Sequence, residues 1–523
     1  MHVLLIVASA TLGALFAYSR GQDINFDQLN YHHYIASAFL TGRLEQDVAP
    51  AQLVHSFFSP YAYVPFVWMV QGLPPYVVGM ALGAVQGLNL WLVAVIAWIV
   101  TSSLHGLRRC GMVAAAVTIS AASPIALSEV GTSMADVTLS LLILSGLALM
   151  LSDKTMEGRR AASGWLFLAG ALVGASVSLK LTSAPFCIAL VAASPIGWRT
   201  YRDRLIAMTA AGAGSAAGFV AGGGGWYLTM WRMFRNPFFP YFNSIFRSPD
   251  YPSRASFFDA RFVPHGLLDA LAYPFRWATL QQTTTELPFR DIRFGLVIVL
   301  GILVAGLAVA RRGRLPDGST AWKRLVVFMA AAFCVWMYVW SIQRYIAVLE
   351  LVTGPAIVVA LLWSGFWRIG RGWPSLAVAG SVAVACVLTV RPIDWGHIGW
   401  ADRWYTINDP TRRSEHAIYF LDDAPLAYVV PELQANASAI DVVAWEDLHS
   451  MGDTVFLRRI NALLADPRND TVVAIGAAKL SEAFKRSIAA YGLEIGGPCD
   501  TTQGRPSALT WCPLRRIAGT ASR

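Results

Sequence analysis

A chain of 523 residues that is 55% hydrophobic and only 14% charged, with a mean hydropathy of +0.49, is too apolar for an ordinary soluble enzyme. It takes lipid as part of its solvent. Its formal charge of +9 is supplied largely by short basic connections between apolar stretches, so it gives no reason to infer a nucleic-acid partner.

Stretches near the roughly 20 apolar residues that cross a bilayer predict an α-helical polytopic membrane protein of about eleven transmembrane helices. They fall at 3–19, 76–101, 111–127, 135–152, 163–180, 182–197, 206–229, 294–310, 325–340, 345–363 and 375–390. The first lacks a basic leader and reads as an uncleaved anchor rather than a signal peptide. The pair 163–180 and 182–197 has a second reading, as one long broken helix and a re-entrant piece. Gly222 to Gly225 suits close helix packing or a flexible span end.

Basic residues cluster in alternate connections: Arg108 and Arg109; Lys154, Arg159 and Arg160; Arg199, Arg202 and Arg204; Arg311, Arg312, Arg314, Lys323 and Arg324; Arg368 and Arg371. Short cytoplasmic loops carry such an excess. The N-terminus is therefore expected inside, and the connections at 20–75, 128–134, 232–293 and 341–344 outside.

At Arg391 the character changes, which divides the chain into a membrane domain, 1–390, and an external domain, 391–523. Strands are expected at Ala427–Val430, Ile440–Ala444, Thr471–Ile475 and Ala508–Cys512, and helices at Val455–Leu464 and Leu480–Tyr491, giving a small α/β domain. Cys499 and Cys512 lie beyond the last span, where an oxidising compartment permits a disulfide. Cys110, Cys187, Cys334 and Cys386 lie in or beside apolar spans and are read as packing residues.

The residues fit for chemistry gather just after the first span: Asp23, Asp27, Asn30, Tyr31, His32, His33, Tyr34, Arg43 and Asp47. Asp27, at the start of a helical stretch, would share a face with Tyr31 and Tyr34 by four- and seven-residue spacing, as a shielded general base requires. An N-cap at the membrane edge is the plainer reading. Asp47 is the second acidic candidate, at a turn. His32 and His33 are adjacent, point to different faces and make a poor zinc site.

The segment 232–293 holds eight arginines and no lysine. Guanidinium forks bind phosphate oxygens bidentately, although most of these arginines are individually read as structural. Arg290, Arg293 and Arg344 stand apart because they adjoin spans. Lys180 is a fourth cation at similar depth, with snorkelling as its alternative. Ionisable residues in the spans are few and lie near their ends (Glu129, Asp136, Glu350), which argues for chemistry at the outer face over passage across the membrane.

Segments spread over about residues 1–365 resemble the GT-C superfamily of integral-membrane glycosyltransferases. They are Asp27-Gln-Leu-Asn-Tyr-His-His-Tyr with Thr41-Gly42-Arg43, Asp47 to Ala51, Gly174-Ala-Ser-Val-Ser-Leu-Lys180-Leu-Thr, Arg235-Asn-Pro-Phe-Phe-Pro240 and Gln343-Arg344-Tyr345. The resemblance implies inverting transfer of a sugar from a polyprenyl-phosphate donor to a cell-envelope glycan, lipid or protein acceptor, at the external face of a bacterial inner membrane. It implies Asp27 as base with Asp47 as second candidate, and Arg290, Arg293, Arg344 and Lys180 on the donor phosphate. Tyr31, His32, His33 and Tyr34 would meet the acceptor or sugar. The first loop lacks the Asp-x-Asp of the strictest pattern, so no metal site or other cofactor is expected, with a divalent ion left open. The rival readings are a carrier or flippase for a lipid-linked sugar, and a non-catalytic anchor for the C-terminal domain.

Overall fold

The computed structural model describes residues 2–152, 159–252, 259–310, 320–364, 373–411, 416–422, 425–442, 448, 451–477 and 479–517. Of the expected inside cations, Lys154, Arg311, Arg312, Arg314, Arg368 and Arg371 lie outside the described residues, as does Arg254 of the second loop. The chain forms two compact units. One comprises 1–19, 80–224 and 258–394; the other comprises 20–79, 225–257 and 395–523.

The first unit is helical. Each of the eleven expected apolar segments contains a helix: His2–Arg20, Pro75–Val100, Gly106–Ala121, Ala135–Leu151, Arg159–Leu179, Ala184–Ala193, Tyr201–Phe234, Arg293–Ala310, Thr320–Val339, Ala347–Trp363 and Trp373–Thr389. Among the described residues, seven helices are long and apolar enough to cross a membrane. Gly106–Ala121, Ala135–Leu151, Ala184–Ala193 and Trp373–Thr389 are shorter. Arg159–Leu179 and Ala184–Ala193 are separate helices, parted by Lys180 in an extended conformation and a 3-10 turn at Leu181–Ser183.

Tyr201–Phe234 runs 34 residues, about 50 Å at 1.5 Å per residue, longer than a hydrocarbon core is thick. Glycines let it press on Arg159–Leu179. A Cβ at Gly170, Gly174, Gly214 or Gly218 would meet carbonyl oxygen of the facing helix at 2.1 Å or less, the close approach that small residues at four-residue spacing permit. Gly222 and Gly223 continue the same seam against Ser178.

The second unit is built on a mixed sheet of strand order 438–441, 417–421, 471–476, 509–516, 493–495, with 500–502 also paired to 509–516. Ala417–Leu421 is parallel to both Ser438–Asp441 and Thr471–Gly476, whereas Leu509–Arg516 runs antiparallel. Helices Val455–Ala465 and Glu482–Ala490 are capped by Thr454 and Ser481, each side chain accepting from a backbone N–H three residues on. A disulfide joins Cys499 to Cys512 across the 500–502 and 509–516 hairpin. Two strand expectations need correction. Ala427–Val430 belongs to a 3-10 helix, Ala427–Glu432, which contains Pro431, whose missing N–H suits it poorly to a ladder. Ala417–Leu421 is a strand not foreseen, since all five residues are buried and show no alternation. The 443–444 end of the strand expected at Ile440–Ala444 lies outside the described residues.

The first loop is part of this unit. Gln22–Asp23 pairs antiparallel with His397–Ile398, and Val48 bridges Ile440 in parallel on the outer edge of the sheet. One apolar core takes Val48, Leu53 and Phe57 from the first loop, Trp226, Phe234 and Phe239 from the middle segment, and Phe420, Ile440, Phe456 and Ile460 from the C-terminal segment. The first loop and the start of the middle segment therefore fold with the C-terminal segment, whereas 259–394 groups with the helices.

Candidate functional site

In the sheet-containing unit, the chain leaves the 22–23 strand into a π-helical turn, Gln28–His32, which leads to helix His33–Thr41. The wider turn divides the two tyrosines that ideal helical spacing puts on one face. Tyr31 Oη donates to Asp27 Oδ2 at 3.0 Å, but Tyr34 Oη turns to Asp47 Oδ2 at 3.3 Å. Asp27 is 8% exposed. Around it the rings stack in pairs, Tyr31 on His55 with centroids 5.0 Å apart and His32 on Tyr63 at 4.1 Å. His55 Nδ1 lies 3.1 Å from both Asn30 Nδ2 and Gln52 Oε1. Gln52 holds a left-handed backbone at φ 62, the local strain that an over-determined site sustains.

Asp23 accepts from the backbone N–H and side-chain amide of Asn25. His33 is buried beside Tyr405, ring centroids 4.5 Å apart. Burial pushes its pKa down to about 3, so the ring is neutral at physiological pH. Its ring packs in the interior of this unit. His55 was not foreseen; an isolated histidine in an apolar stretch carries no spacing signal.

Asp47 has a different environment. Oδ1 accepts from Arg43 Nη2 at 2.9 Å and from the Ala439 backbone N–H at 2.9 Å, while Oδ2 accepts from Arg43 Nε at 3.1 Å and from Tyr34. Arg43 also donates to the carbonyls of Ala437 and Ala435, and Arg459 donates to the Asp47 carbonyl. Burial nevertheless raises the Asp47 carboxyl above its ordinary range, against the opposing pull of Arg43. Four donors on two oxygens make this carboxylate the clamp that fixes the first loop to the sheet edge.

In the helical unit, the break at Lys180 aims its ammonium at Asp136 Oδ2, 2.5 Å away. Lys180 and Arg344 each lie 5.4 Å from the ring centre of Tyr345. Both cations are half-buried. Glu129, fully buried at the end of the short helix Pro124–Glu129, accepts from Val137 N–H. Asp136, Lys180 and Arg344 lie near enough to act on its carboxyl electrostatically. Two carboxyls and two cations thus act on one another.

The turn bearing Arg344, Gln343–Ile346, is held from behind. Gln343 donates to Glu350 Oε1 at 2.7 Å, accepts from Thr284 Oγ1 at 2.8 Å, and its backbone N–H donates to the Thr284 carbonyl. Ser341, before the turn, adopts φ 53. Glu350 Oε2 in turn accepts from Ser123 Oγ, the Ile125 N–H and Arg293.

Arg293 is the arginine whose surroundings differ most from expectation. It is 1% exposed, paired with Asp291 at 2.6 Å and Glu350 at 3.1 Å, and donates to the Glu350 carbonyl. Such a saturated, buried guanidinium braces helix ends rather than facing a lipid headgroup. Arg290 forms an antiparallel backbone bridge with Arg391 and sends Nε to the Thr389 carbonyl at 2.7 Å. Among the described residues, no three His, Cys, Asp or Glu side chains gather as metal ligands.

No family model and no curated protein sequence matches the chain. Solved structures do. ArnT from Cupriavidus metallidurans bound to undecaprenyl phosphate matches with TM-score 0.53 at 14% identity, over 100% of this chain and 99% of that one. Its apo structure matches with TM-score 0.54 at 15% identity, over 97% of each. The Archaeoglobus fulgidus oligosaccharyltransferase gives TM-score 0.46 at 11% identity, over 90% of this chain and 69% of that one. The chain therefore shares its fold with these ArnT structures: a multi-pass helical membrane protein with a C-terminal mixed-sheet domain.

Proposed function

We propose that the protein is an inverting glycosyltransferase that moves a sugar from a polyprenyl-phosphate-linked donor to a cell-envelope glycan, lipid or protein acceptor. The reading places it in a bacterial inner membrane, N-terminus cytoplasmic and the sheet-containing unit periplasmic. The observation that carries it is the likeness of fold over the whole chain to ArnT, a protein solved with undecaprenyl phosphate bound.

In this reading the acceptor hydroxyl attacks the anomeric carbon and gives its proton to Asp27. The bond from that carbon to the phosphate oxygen breaks, and polyprenyl phosphate leaves with the electron pair. Asp27 suits the base because it is shielded and hydrogen-bonded to Tyr31. Asp47 is not assigned the role, since its two oxygens already take four donors. Lys180 and Arg344 are assigned to the phosphate, where fixed positive charge stabilises the leaving group as it gains charge. Tyr31 and His32 are assigned to the acceptor side through their place beside Asp27, while Arg290 and Arg293 serve the frame.

The test uses purified protein in vesicles, supplied with polyprenyl-phosphate sugars extracted from bacterial membranes together with an envelope extract as acceptor. Sugar transfer with release of polyprenyl phosphate, lost in Asp27→Asn, supports the assignment. Movement of intact donor between leaflets without release supports the carrier reading and overturns this one.

A further inference from the structure

The helical unit carries a ten-residue helix, Leu267–Arg276, with an exposed apolar arc. At about 100° per residue, Leu267, Leu268, Leu271 and Phe275 share one side, and they are 75, 84, 59 and 46% exposed. Tyr273 and Pro274 are buried, the Tyr273 hydroxyl donating to the Phe262 carbonyl at 2.9 Å. Asp269 and Arg276 lie on the far side of the helix from that arc and pair with each other. Their charges are thereby held away from the leucines.

A helix surrounded by water buries its leucines, and four large apolar side chains pointing outward from ten residues need another medium. The place of the helix in the fold says which. Pro274 and Phe275 approach Gly295, in the first turn of Arg293–Ala310. That helix is one of those long and apolar enough to cross a membrane, and it too exposes Val299, Ile302 and Val309. The leucine face therefore adjoins the exposed apolar surface of a helix long and apolar enough to cross a membrane. We propose that Leu267–Arg276 lies in the membrane interface, with Leu267, Leu268, Leu271 and Phe275 in the acyl boundary and the Asp269–Arg276 pair among headgroups and water. The lipid surface is the occupant, and the helix fixes the depth at which the second loop enters Arg293–Ala310. This does not depend on the glycosyltransferase reading.

The test is nitroxide accessibility in full-length protein with Cys110, Cys187, Cys334 and Cys386 changed to alanine, in phosphatidylethanolamine–phosphatidylglycerol vesicles. Labels are attached at Leu268→Cys, Leu271→Cys and Asp269→Cys. The expected result is a ratio of oxygen to nickel-chelate accessibility severalfold higher at 268 and 271 than at 269. Equal preference for the nickel chelate at all three overturns the proposal by placing the helix in water. Shielding of 268 and 271 from both reagents overturns it by placing protein, including a second copy of the chain, over that face. A benzophenone amino acid replacing Leu268 in the otherwise unchanged protein gives an independent reading. Lipid adducts support the proposal; adducts to polypeptide alone contradict it.

Discussion

Asp27 and Asp47 lie within one loop, are both buried, and both accept a tyrosine hydroxyl, yet their surroundings differ in kind. Asp47 has a bidentate arginine and a backbone N–H on its oxygens and ties the loop to the sheet edge. Asp27 sits at the entrance to a π-helical turn among paired aromatic and imidazole rings. The helical unit repeats the contrast with the sign reversed. Arg293 is saturated by two carboxylates, whereas Lys180 and Arg344 are half-buried around one tyrosine ring. In each unit the partners identify a bracing charge, Asp47 held by Arg43 and the Ala439 N–H, and Arg293 by Asp291 and Glu350. Burial alone therefore does not tell what a charged side chain does; for Asp47 and Arg293 the kind of partner does.

The sharpest way to break this comparison is to exchange the effects of the carboxylates. Asp27→Asn keeps size and hydrogen bonding but removes the base, so turnover should fall by about 10²–10⁴ while the thermal unfolding curve of the purified protein stays in place. Near-normal turnover would transfer the base assignment elsewhere. The bracing charges should behave in the opposite way. Asp47→Ala or Arg293→Ala leaves a buried partner charge uncompensated and should cost roughly 3–5 kcal/mol of stability, read as reduced yield and a lower unfolding midpoint. If either variant were fully stable yet inactive, that residue would belong with the chemistry.

A smaller effect is expected at the phosphate. Arg344→Ala should raise the KM for the lipid-phosphate donor by roughly ten- to a hundredfold, the scale of hydrogen bonds to a charged group, with the acceptor KM nearly unchanged. Arg344→Lys should recover part of this, because an ammonium keeps the charge and loses the fork. Equal losses for donor and acceptor, or full recovery with lysine, would make Arg344 another brace.

The smallest effect concerns pH. The imidazole of His33 is held near pKa 3 in the fold against 6.5 in the unfolded chain, so between those values the unfolded state binds a proton that the folded state refuses. The His33 contribution is present in full above pH 6.5 and is lost progressively as pH falls toward about 3. Asp47, whose carboxyl is raised in the fold, titrates with the opposite sign just above its ordinary value, so the upper part of the window is diagnostic. His33→Phe should flatten the acid slope there in unfolding measurements. An unchanged slope would assign it to other groups.

Much of the helical unit was legible because lipid imposes a length and a composition on every span, and each of the eleven apolar segments contains a helix. Asp27 with Tyr31 was legible too, since a four-residue spacing survives the π turn. Tyr34 was not, because the extra residue in that turn rotates it to Asp47. The union of the first loop with the C-terminal sheet was hidden for a similar reason. Ala439 N–H reaches Asp47 from 392 residues away, and no periodicity records such a pairing. Ala417–Leu421 was missed because a strand buried on both faces loses its alternation. Arg293 looked like a lipid-facing cation because its second partner, Glu350, lies 57 residues further on.

The most direct test of the central claim is mass spectrometry of envelope lipids and glycans from cells lacking the protein, complemented with the wild-type chain or with Asp27→Asn. The account predicts one envelope molecule that loses the mass of a single sugar in the deletion, regains it with wild type, and does not regain it with Asp27→Asn expressed at equal level in the membrane. Identical envelopes in all three strains, or full recovery with Asp27→Asn, would contradict it.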